Sequence, residues 1–182
     1  MLAKMRPHHA DDDIPPPLNA TDFREALGRF ASGITVMTTR DNGGAPYGVT
    51  ATSFTSLSLD PPMVQWSLRN AAYSLPVFLE AGRFAVNVLS AGQESISRRF
   101  ATPEIDRFAG LRTEAGLGEL SLIEGALAWI ECSLETTLEG GDHTILVGKV
   151  LRARTFDRQP LLYWRGSYLA ATSDPTESDS KT

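Results

Sequence analysis

Two long β-rich stretches in the second half of the chain constrain the fold most. Residues 126–138 and 144–154 are separated only by the segment EGGDH, residues 139–143. A connection this short joins neighbouring strands as an antiparallel hairpin, because a parallel pair needs a crossover of about a dozen residues or more. The pair therefore predicts a long hairpin and argues against a parallel doubly wound sheet.

The rest of the chain predicts shorter strands and short helices. Residues 34–40 and 47–54 flank the turn signal DNGG and predict a second hairpin. Further strands are predicted at 63–68, 84–89 and 161–171. Short helices are predicted to begin near Thr21, to span 74–80, and to run from 90 to about 101 after the capping-box pair Ser90 and Gln93. Because most connections are hairpin-like, we predict a mainly β fold, an antiparallel barrel with short peripheral helices.

Length and charge narrow the class of protein. The 182 residues predict one domain at 21–171, between a polar, proline-rich N-terminal arm at 1–20 and a polar C-terminal tail at 172–182. A net charge of −5 without a Lys/Arg run is not typical of a nucleic-acid-binding protein. The sequence has no apolar run of membrane-spanning length, so no membrane association is predicted. The start lacks a secretory pattern and the single Cys132 permits no intrachain disulfide, which together predict a cytoplasmic protein.

Several common catalytic signatures are absent from the sequence. Neither G-x-G-x-x-G, nor G-x-x-x-x-G-K-[ST], nor G-x-S-x-G occurs. Cys132 lies within a strand pattern and is interpreted as a small, partly buried residue rather than a nucleophile. The pair His8 and His9 lies in the arm without further ligands, so no metal site is predicted.

Three segments carry polar residues suited to a ligand. Residues 50–58, TATSFTSLS, place small hydroxyl side chains at a strand end, which suits either a binding edge or a solvated edge strand. Residues 67–74, SLRNAAYS, place an arginine before a helix start, either as an anion site or as a surface arginine beside a capped helix. Residues 140–143, GGDH, either aim His143 into a cleft or form a solvent-facing turn. The residue types alone leave these alternatives open.

Taken in order along the chain, these segments resemble the flavin reductase family. The resemblance runs from Phe23 to Tyr168, and its most specific part is the hydroxyl-rich block followed by DPP, then FAVNVL, then GDH. The matching blocks are FASGITVMTT, YGVTATSFTSLSLDPPMVQWSL, GRFAVNVLSAGQESISRRFA, DRFAG, GALAWIECSLE, GDHTILVGKV and PLLYWRGSYLA. The resemblance implies an FMN-binding split β-barrel that transfers hydride from NADH or NADPH to FMN or FAD. It also implies a homodimer that supplies reduced flavin to a separate monooxygenase.

The resemblance assigns roles to particular residues. His143 would contact the nicotinamide nucleotide as a positioning and electrostatic residue. The isoalloxazine ring would lie along Thr50, Ala51, Thr52 and Ser53. The ribityl chain and the phosphate side would follow Ser56 and Leu57. The phosphate end would be closed by Ser67, Leu68 and Arg69, with Ser74 as a further candidate. Another wall of the pocket would be formed by Asn87, Val88 and Leu89, and the outer portion of the flavin would lie near Arg107 and Phe108.

Two other functions suit the same kind of fold. One is a flavin-binding sensor or carrier without reductase turnover, since a fold alone does not fix an activity. The other is an oxidase of the pyridoxamine-phosphate type, against which the order of the blocks argues. The strand after DPP departs from the family pattern, because it carries Gln65 and the bulky Trp66 where many relatives are aliphatic. Trp66 is expected either in the core or in the wall of the flavin cleft.

Overall fold

The computed structural model of the chain describes residues 17–171. Within these residues lie three α-helices, α1 (Ala20–Gly28), α2 (Leu75–Ala81) and α3 (Glu94–Ala101). The strands of the same region are β1 (Ser32–Gly33), β2 (Thr35–Arg40), β3 (Pro46–Ala51), β4 (Thr55–Leu59), β5 (Pro62–Arg69), β6 (Arg83–Val88), β7 (Thr113–Ala115), β8 (Ser121–Ile123), β9 (Ala128–Gly140), β10 (His143–Thr155), β11 (Leu161–Trp164) and β12 (Ser167–Ala170). Most of the predicted arm, with His8 and His9, and all of the predicted tail lie outside the described residues.

Seven strands form one antiparallel sheet in the order β3-β2-β6-β9-β10-β5-β4. Ala51 of β3 and Val64 of β5 come from strands far apart in this order, yet both belong to the same buried cluster. A flat sheet would hold these strands apart, so the sheet curls around its core into a barrel. No ladder of hydrogen bonds joins the two edge strands, β3 and β4, within residues 17–171, so the barrel is open between β3 and the β4–β5 hairpin. The predicted mainly β, antiparallel fold is confirmed.

The long hairpin has the predicted position. β9 and β10 pair from Gly140 opposite His143 to Ala128 opposite Thr155, so only Gly141 and Asp142 form the turn. Gly141 has a φ of +68°, the left-handed conformation that a type II′ hairpin turn needs at its first central position. Gly141, the second glycine of EGGDH, therefore sets the turn that places His143 at the first position of β10.

Two other strand predictions are wrong in their extent. The predicted strand over 47–54 stops at Ala51, and the hydroxyl-rich segment resumes as a separate strand, β4, at Thr55. The single strand predicted at 161–171 is a hairpin, because Arg165 and Gly166 take φ values of +50° and +81° and reverse the chain. The second correction comes from a local turn, which alternation of side chains does not reveal.

The first helix is capped as a surface helix but buries no side chain. The side-chain oxygen of Asn19 accepts hydrogen bonds from the backbone nitrogens of Thr21, at 2.7 Å, and Asp22, at 3.3 Å. Its apolar residues Phe23 and Leu27 are nevertheless 50% and 57% exposed. The helix therefore presents an apolar face that the described chain does not cover. No helix of residues 17–171 has the length and apolar character needed to cross a membrane.

Two residues with open or tentative roles lie in the core. Trp66 is fully buried, with its ring 5.0 Å from that of Phe78 and 5.8 Å from that of Phe84 in edge-on contacts. It is therefore a core residue and not part of a cleft wall. Cys132 is 1% exposed, and burial, with the nearby carboxylate of Glu131, raises the pKa of its thiol to about 12. The thiol stays protonated at neutral pH, as its interpretation as a packing residue requires.

A buried carboxylate ties the long hairpin to a loop. Glu131 of β9 is 1% exposed, and its carboxylate accepts hydrogen bonds from the Arg152 guanidinium of β10 and from the backbone nitrogen of Leu117. Burial alone would raise the pKa of Glu131, but these hydrogen bonds and the positive charge of Arg152 outweigh it and lower that pKa below the usual range. The ionised form is therefore the one that the fold stabilises.

Replacing Glu131 with glutamine should reduce the free energy of unfolding at neutral pH by about 1–2 kcal/mol, discounted because Arg152 reaches solvent. A carboxyl with a lowered folded-state pKa stabilises the protein above its unfolded-state value, and this contribution is lost as the pH falls through the folded-state value. The loss should therefore shrink below about pH 4. Urea unfolding of Glu131→Gln and of Glu135→Gln, an exposed glutamate of the same strand, measures this difference. Equal stability of the two variants at pH 7 would contradict it.

Candidate active site

A cavity of about 630 Å³ opens between the end of β3, the end of β5 and the turn of the long hairpin. Its size is within the range of small-molecule sites, roughly 300–1,000 Å³. Its lining residues are Val49, Thr50, Ala51, Thr52, Ser53, Ser67, Leu68, Arg69, Ala72, Ala101, Gly140, His143 and Ile145. Eight of these thirteen are Gly, Ala, Ser or Thr, so a flat ligand can lie close to the backbone of the wall.

Hydroxyl groups hold the wall of the cavity in place. The Ser53 hydroxyl accepts a hydrogen bond from the backbone nitrogen of Ser67, at 2.9 Å, and donates to the backbone oxygen of Ser67, at 3.2 Å. This one side chain bridges the opening between the end of β3 and β5. The Thr50 hydroxyl donates to the backbone oxygen of Ser97 in α3, at 2.7 Å. Part of the hydroxyl-rich segment therefore shapes the cavity through bonds within the protein.

Arg69 provides a positive charge on the cavity wall. It is the last residue of β5, is exposed, and lies opposite His143 in the pairing of β5 with β10. Among the ion pairs of residues 17–171, none involves Arg69. Its guanidinium is therefore available to bind an anion such as a phosphate through two parallel hydrogen bonds.

His143 is half-buried in the cavity wall and is oriented by its neighbour Asp142. The His143 Nδ1 atom lies 2.7 Å from Oδ1 of Asp142. The hydrogen bond and the charge interaction with His143, with a smaller contribution from the charge of Arg69, lower the pKa of Asp142, so its carboxylate is ionised at neutral pH. An ionised carboxylate only accepts hydrogen bonds, so Nδ1 carries the hydrogen and Nε2 is left for a ligand.

The structure brings half of the sequence-predicted residues together in this cavity. They are Thr50, Ala51, Thr52, Ser53, Ser67, Leu68, Arg69 and His143. Five lining residues were not predicted as ligand-facing positions: Val49, Ala72, Ala101, Gly140 and Ile145. Their side chains are small or aliphatic and have no polar group that would indicate a ligand. Two of them could have been found from their position in the sequence, because Ala72 lies within the candidate segment SLRNAAYS and Gly140 within GGDH.

The segment Asn87-Val88-Leu89 does not line the cavity. Asn87 is fully buried: its amide nitrogen donates to the backbone oxygen of Val36 and to the Thr38 hydroxyl, and its Oδ1 accepts from the backbone nitrogen of Ile123. Val88 and Leu89 pack against buried hydrophobic clusters. The side chains of this segment join strands and fill the core, so the predicted flavin wall is not formed by them within this cavity.

The remaining five predicted residues also lie outside the cavity lining. Ser56 and Leu57 are exposed on β4, the edge strand of the large sheet. Ser74 is 2% exposed and precedes α2. Phe108 packs edge-on against Phe100, with 5.1 Å between ring centres. A flavin contact by any of these stays a prediction.

Arg107, the fifth of these residues, supports the cavity from behind. It is 7% exposed, and its Nη1 donates to the backbone oxygen of Gly48, at 2.7 Å, and to the Tyr73 hydroxyl, at 2.6 Å. Nε and Nη2 donate to the backbone oxygen of Thr102. The guanidinium thus fixes the strand that leads into Val49 and Thr50.

The sequence model of a protein family, described as the flavin reductase like domain, matches residues 27–172 of the chain. The match includes every residue that lines the cavity. The chain belongs to this flavin reductase family. The family resemblance read from the ordered sequence blocks is confirmed, and so is the fold that it implied, because solved members superpose on this flavin reductase domain over most of its length.

Named relatives of this flavin reductase domain include reductases and reductase components. The FMN reductase (NADH) SmoA of Agrobacterium fabrum is 43% identical, over 85% of this chain and 88% of its own length. The reductase component of the flavin-dependent trigonelline monooxygenase of Acinetobacter baylyi is 37% identical, over 86% of this chain and 50% of its own length. The chain spans about half the length of two of the curated relatives that it matches, 47% and 50%.

One solved relative is a complex with NAD and FAD fragments. The NADH:FAD oxidoreductase SgcE6 of Streptomyces globisporus, in complex with NAD and FAD fragments, is 35% identical to this flavin reductase domain. Its structure superposes with a TM-score of 0.82 over 90% of this chain and 99% of its own. The fold of this domain is therefore shared with a protein whose structure was solved in complex with NAD and FAD fragments.

Proposed function

We propose that the chain is an NAD(P)H:flavin oxidoreductase that transfers hydride from a reduced nicotinamide nucleotide to FMN or FAD. The observation that carries the proposal is the meeting of three separate sequence segments at one cavity. The small residues of Thr50–Ser53, the guanidinium of Arg69 and the imidazole of His143 all line it. The proposal places the protein in the cytoplasm, where reduced nicotinamide nucleotides are made.

The cavity has the features that a flavin requires. Small side chains give an extended, flat ring access to the backbone of residues 50–53. Arg69 makes no ion pair within residues 17–171 and suits the phosphate of FMN. Hydride passes from C4 of the nicotinamide to N5 of the flavin when both nucleotides are bound, and the reactive atoms belong to these nucleotides. The chain's own residues therefore have to bind, align and exclude water, which needs no nucleophile or metal from the protein.

The assignments within the cavity are those that the family resemblance implies for residues that line it. Thr50, Ala51, Thr52 and Ser53 border the ring, Ser67, Leu68 and Arg69 hold the phosphate end, and His143 contacts the nicotinamide nucleotide through Nε2. Arg69 and His143 are opposite each other on neighbouring strands. The flavin phosphate and the nicotinamide nucleotide would therefore bind next to each other on this side of the cavity. Asp142 keeps the His143 ring in one tautomer during this contact.

Two partners belong to the proposal. The names of relatives that are reductase components support a separate monooxygenase that consumes the reduced flavin. A homodimer is supported by apolar residues that are exposed within residues 17–171 of one chain, among them Phe30, 79% exposed, and Leu59, 92% exposed. Sedimentation of the purified protein tests the dimer, and a monomer at micromolar concentration would contradict it.

The test of the function is a matrix of NADH and NADPH against riboflavin, FMN and FAD. Loss of absorbance at 340 nm should depend on flavin, and one nucleotide and one flavin should be preferred. The proposal would be contradicted if neither NADH nor NADPH were oxidised with any flavin. It would also be contradicted if the rate of oxidation did not depend on the flavin. Tight flavin binding without reduction by either nucleotide would instead indicate a carrier or sensor.

A further inference from the structure

Asn70 connects two of the cavity's walls through three hydrogen bonds. It directly follows β5, at the point where the ladder with β10 ends at Arg69 and His143. Its backbone nitrogen donates to the backbone oxygen of Asp142, at 2.9 Å. Its Nδ2 donates to the backbone oxygen of Gly141, at 3.2 Å, and its Oδ1 accepts from the Thr144 hydroxyl, at 2.8 Å. The bonds reach the residues on both sides of His143 but not His143 itself.

The turn needs such a connection because little else holds it. Gly141 and Asp142 are the two central residues of the turn, both are exposed, and their carbonyl oxygens have no partner in the β9–β10 ladder. Glycine has more conformational freedom than any other residue type, so the backbone at Gly141 is easily moved. Without the Asn70 side chain, the turn would be held to the end of β5 only by the backbone hydrogen bond from residue 70 to Asp142.

The position of the turn decides where the imidazole lies. The Asp142 carboxylate holds Nδ1 of His143 at 2.7 Å, so a movement of the Asp142 backbone moves the partner that orients the ring. The Asn70 side chain fixes the backbone next to Asp142, at the Gly141 carbonyl, and fixes the start of β10 at Thr144. This one side chain thus restrains the segment that sets the tautomer and the direction of the His143 ring.

We propose that Asn70 is a positioning residue for nucleotide binding, acting through His143 by holding the Gly141–Asp142 turn against the end of β5. This inference rests on the proposed function, in which His143 contacts the reduced nicotinamide nucleotide. Asn70 itself does not line the cavity. Its effect should therefore be on the KM of the nucleotide and not on the affinity for flavin.

The kinetic test compares Asn70→Ala with Asn42→Ala, the same change in a turn between β2 and β3 away from the cavity. Asn70→Ala loses two partly exposed hydrogen bonds, so the KM for the preferred nucleotide should rise about five- to tenfold, with kcat changed less than about twofold. Asn42→Ala should match the wild type. In a His143→Ala background the effect of Asn70→Ala should fall below about twofold, because coupled residues are not additive. The same rise in both backgrounds would show that Asn70 acts independently of His143 and overturn the inference.

A second readout does not depend on turnover. Nitrogen-15 spectra of the histidine rings, with His143 assigned by its loss in His143→Ala, report which ring nitrogen carries the hydrogen. Wild type and Asn42→Ala should show the Nδ1–H form, and Asn70→Ala a mixture of the two tautomers. An unchanged ring signal in Asn70→Ala overturns the inference even if the enzyme is active. A wild-type chain that oxidises no nucleotide contradicts the proposed function, whereas the ring signal still decides whether Asn70 positions His143.

Discussion

Replacing His143 with alanine should lower kcat/KM for the reduced nicotinamide nucleotide about 10- to 100-fold, the range expected for losing one hydrogen bond to a charged or strongly polar ligand group. His143 lines the cavity opposite Arg69, and its Nε2 is the ring atom that Asp142 leaves unused. A misplaced nicotinamide also loses the alignment on which hydride transfer depends. Steady-state oxidation at fixed flavin concentration, with the nucleotide varied, gives this ratio.

The matched measurement for this variant is flavin binding. His143 is assigned to the nucleotide, so the flavin Kd of His143→Ala, from fluorescence quenching, should stay within about twofold of the wild type. His143→Gln, which keeps a hydrogen-bonding group of similar reach, should recover part of the lost activity. If turnover and nucleotide affinity are unchanged in His143→Ala, the residue has no role in nucleotide binding. A loss confined to flavin affinity would place His143 at the flavin instead.

The hydroxyl-rich segment shows how far residue types could predict the site. Its composition suited a binding edge and a solvated edge equally, and the structure divides it between the two. Thr50 to Ser53 line the cavity, whereas Thr55 to Leu59 form β4, the exposed edge strand. The division falls at the break after Ala51, which depends on the curl of the whole sheet. A local pattern of side chains does not contain that information.

The fold was more predictable than the site because its signals are local. The long hairpin follows from two strand patterns and one glycine-containing turn, and Ser90 and Gln93 do form the predicted capping box. Asn70 gave no such signal, since its partners lie 71 and 74 residues away in the sequence. The family resemblance assigned Asn87 to the flavin pocket, and the sequence does not reveal the buried hydrogen bonds that this side chain makes within the fold.

Replacing Arg69 with alanine should weaken FMN binding by about 1.5–3 kcal/mol, the cost of losing charge-assisted hydrogen bonds to a phosphate. At 25 °C this is a rise in Kd of roughly 10- to 150-fold. Riboflavin lacks the phosphate, so its Kd should be nearly unchanged. Because the Arg69 guanidinium has no ion-pair partner among residues 17–171, its removal leaves no carboxylate unpaired there and should cost little stability. Titration of flavin fluorescence with wild type and variant gives the four constants.

The comparison of the two flavins separates a phosphate contact from a change in the cavity wall. Arg83→Ala provides the control, because Arg83 begins β6 and is an exposed arginine outside the cavity lining. Arg83→Ala changes the net charge of the protein by the same amount as Arg69→Ala, but it should leave the Kd values of FMN and riboflavin unchanged. Equal losses of FMN and riboflavin in Arg69→Ala would remove Arg69 from the phosphate site, since only a distorted wall affects both ligands alike. We expect Arg69→Ala to lose affinity for FMN but not for riboflavin. This loss should become smaller with added salt, because salt screens part of the attraction between the exposed guanidinium and the phosphate.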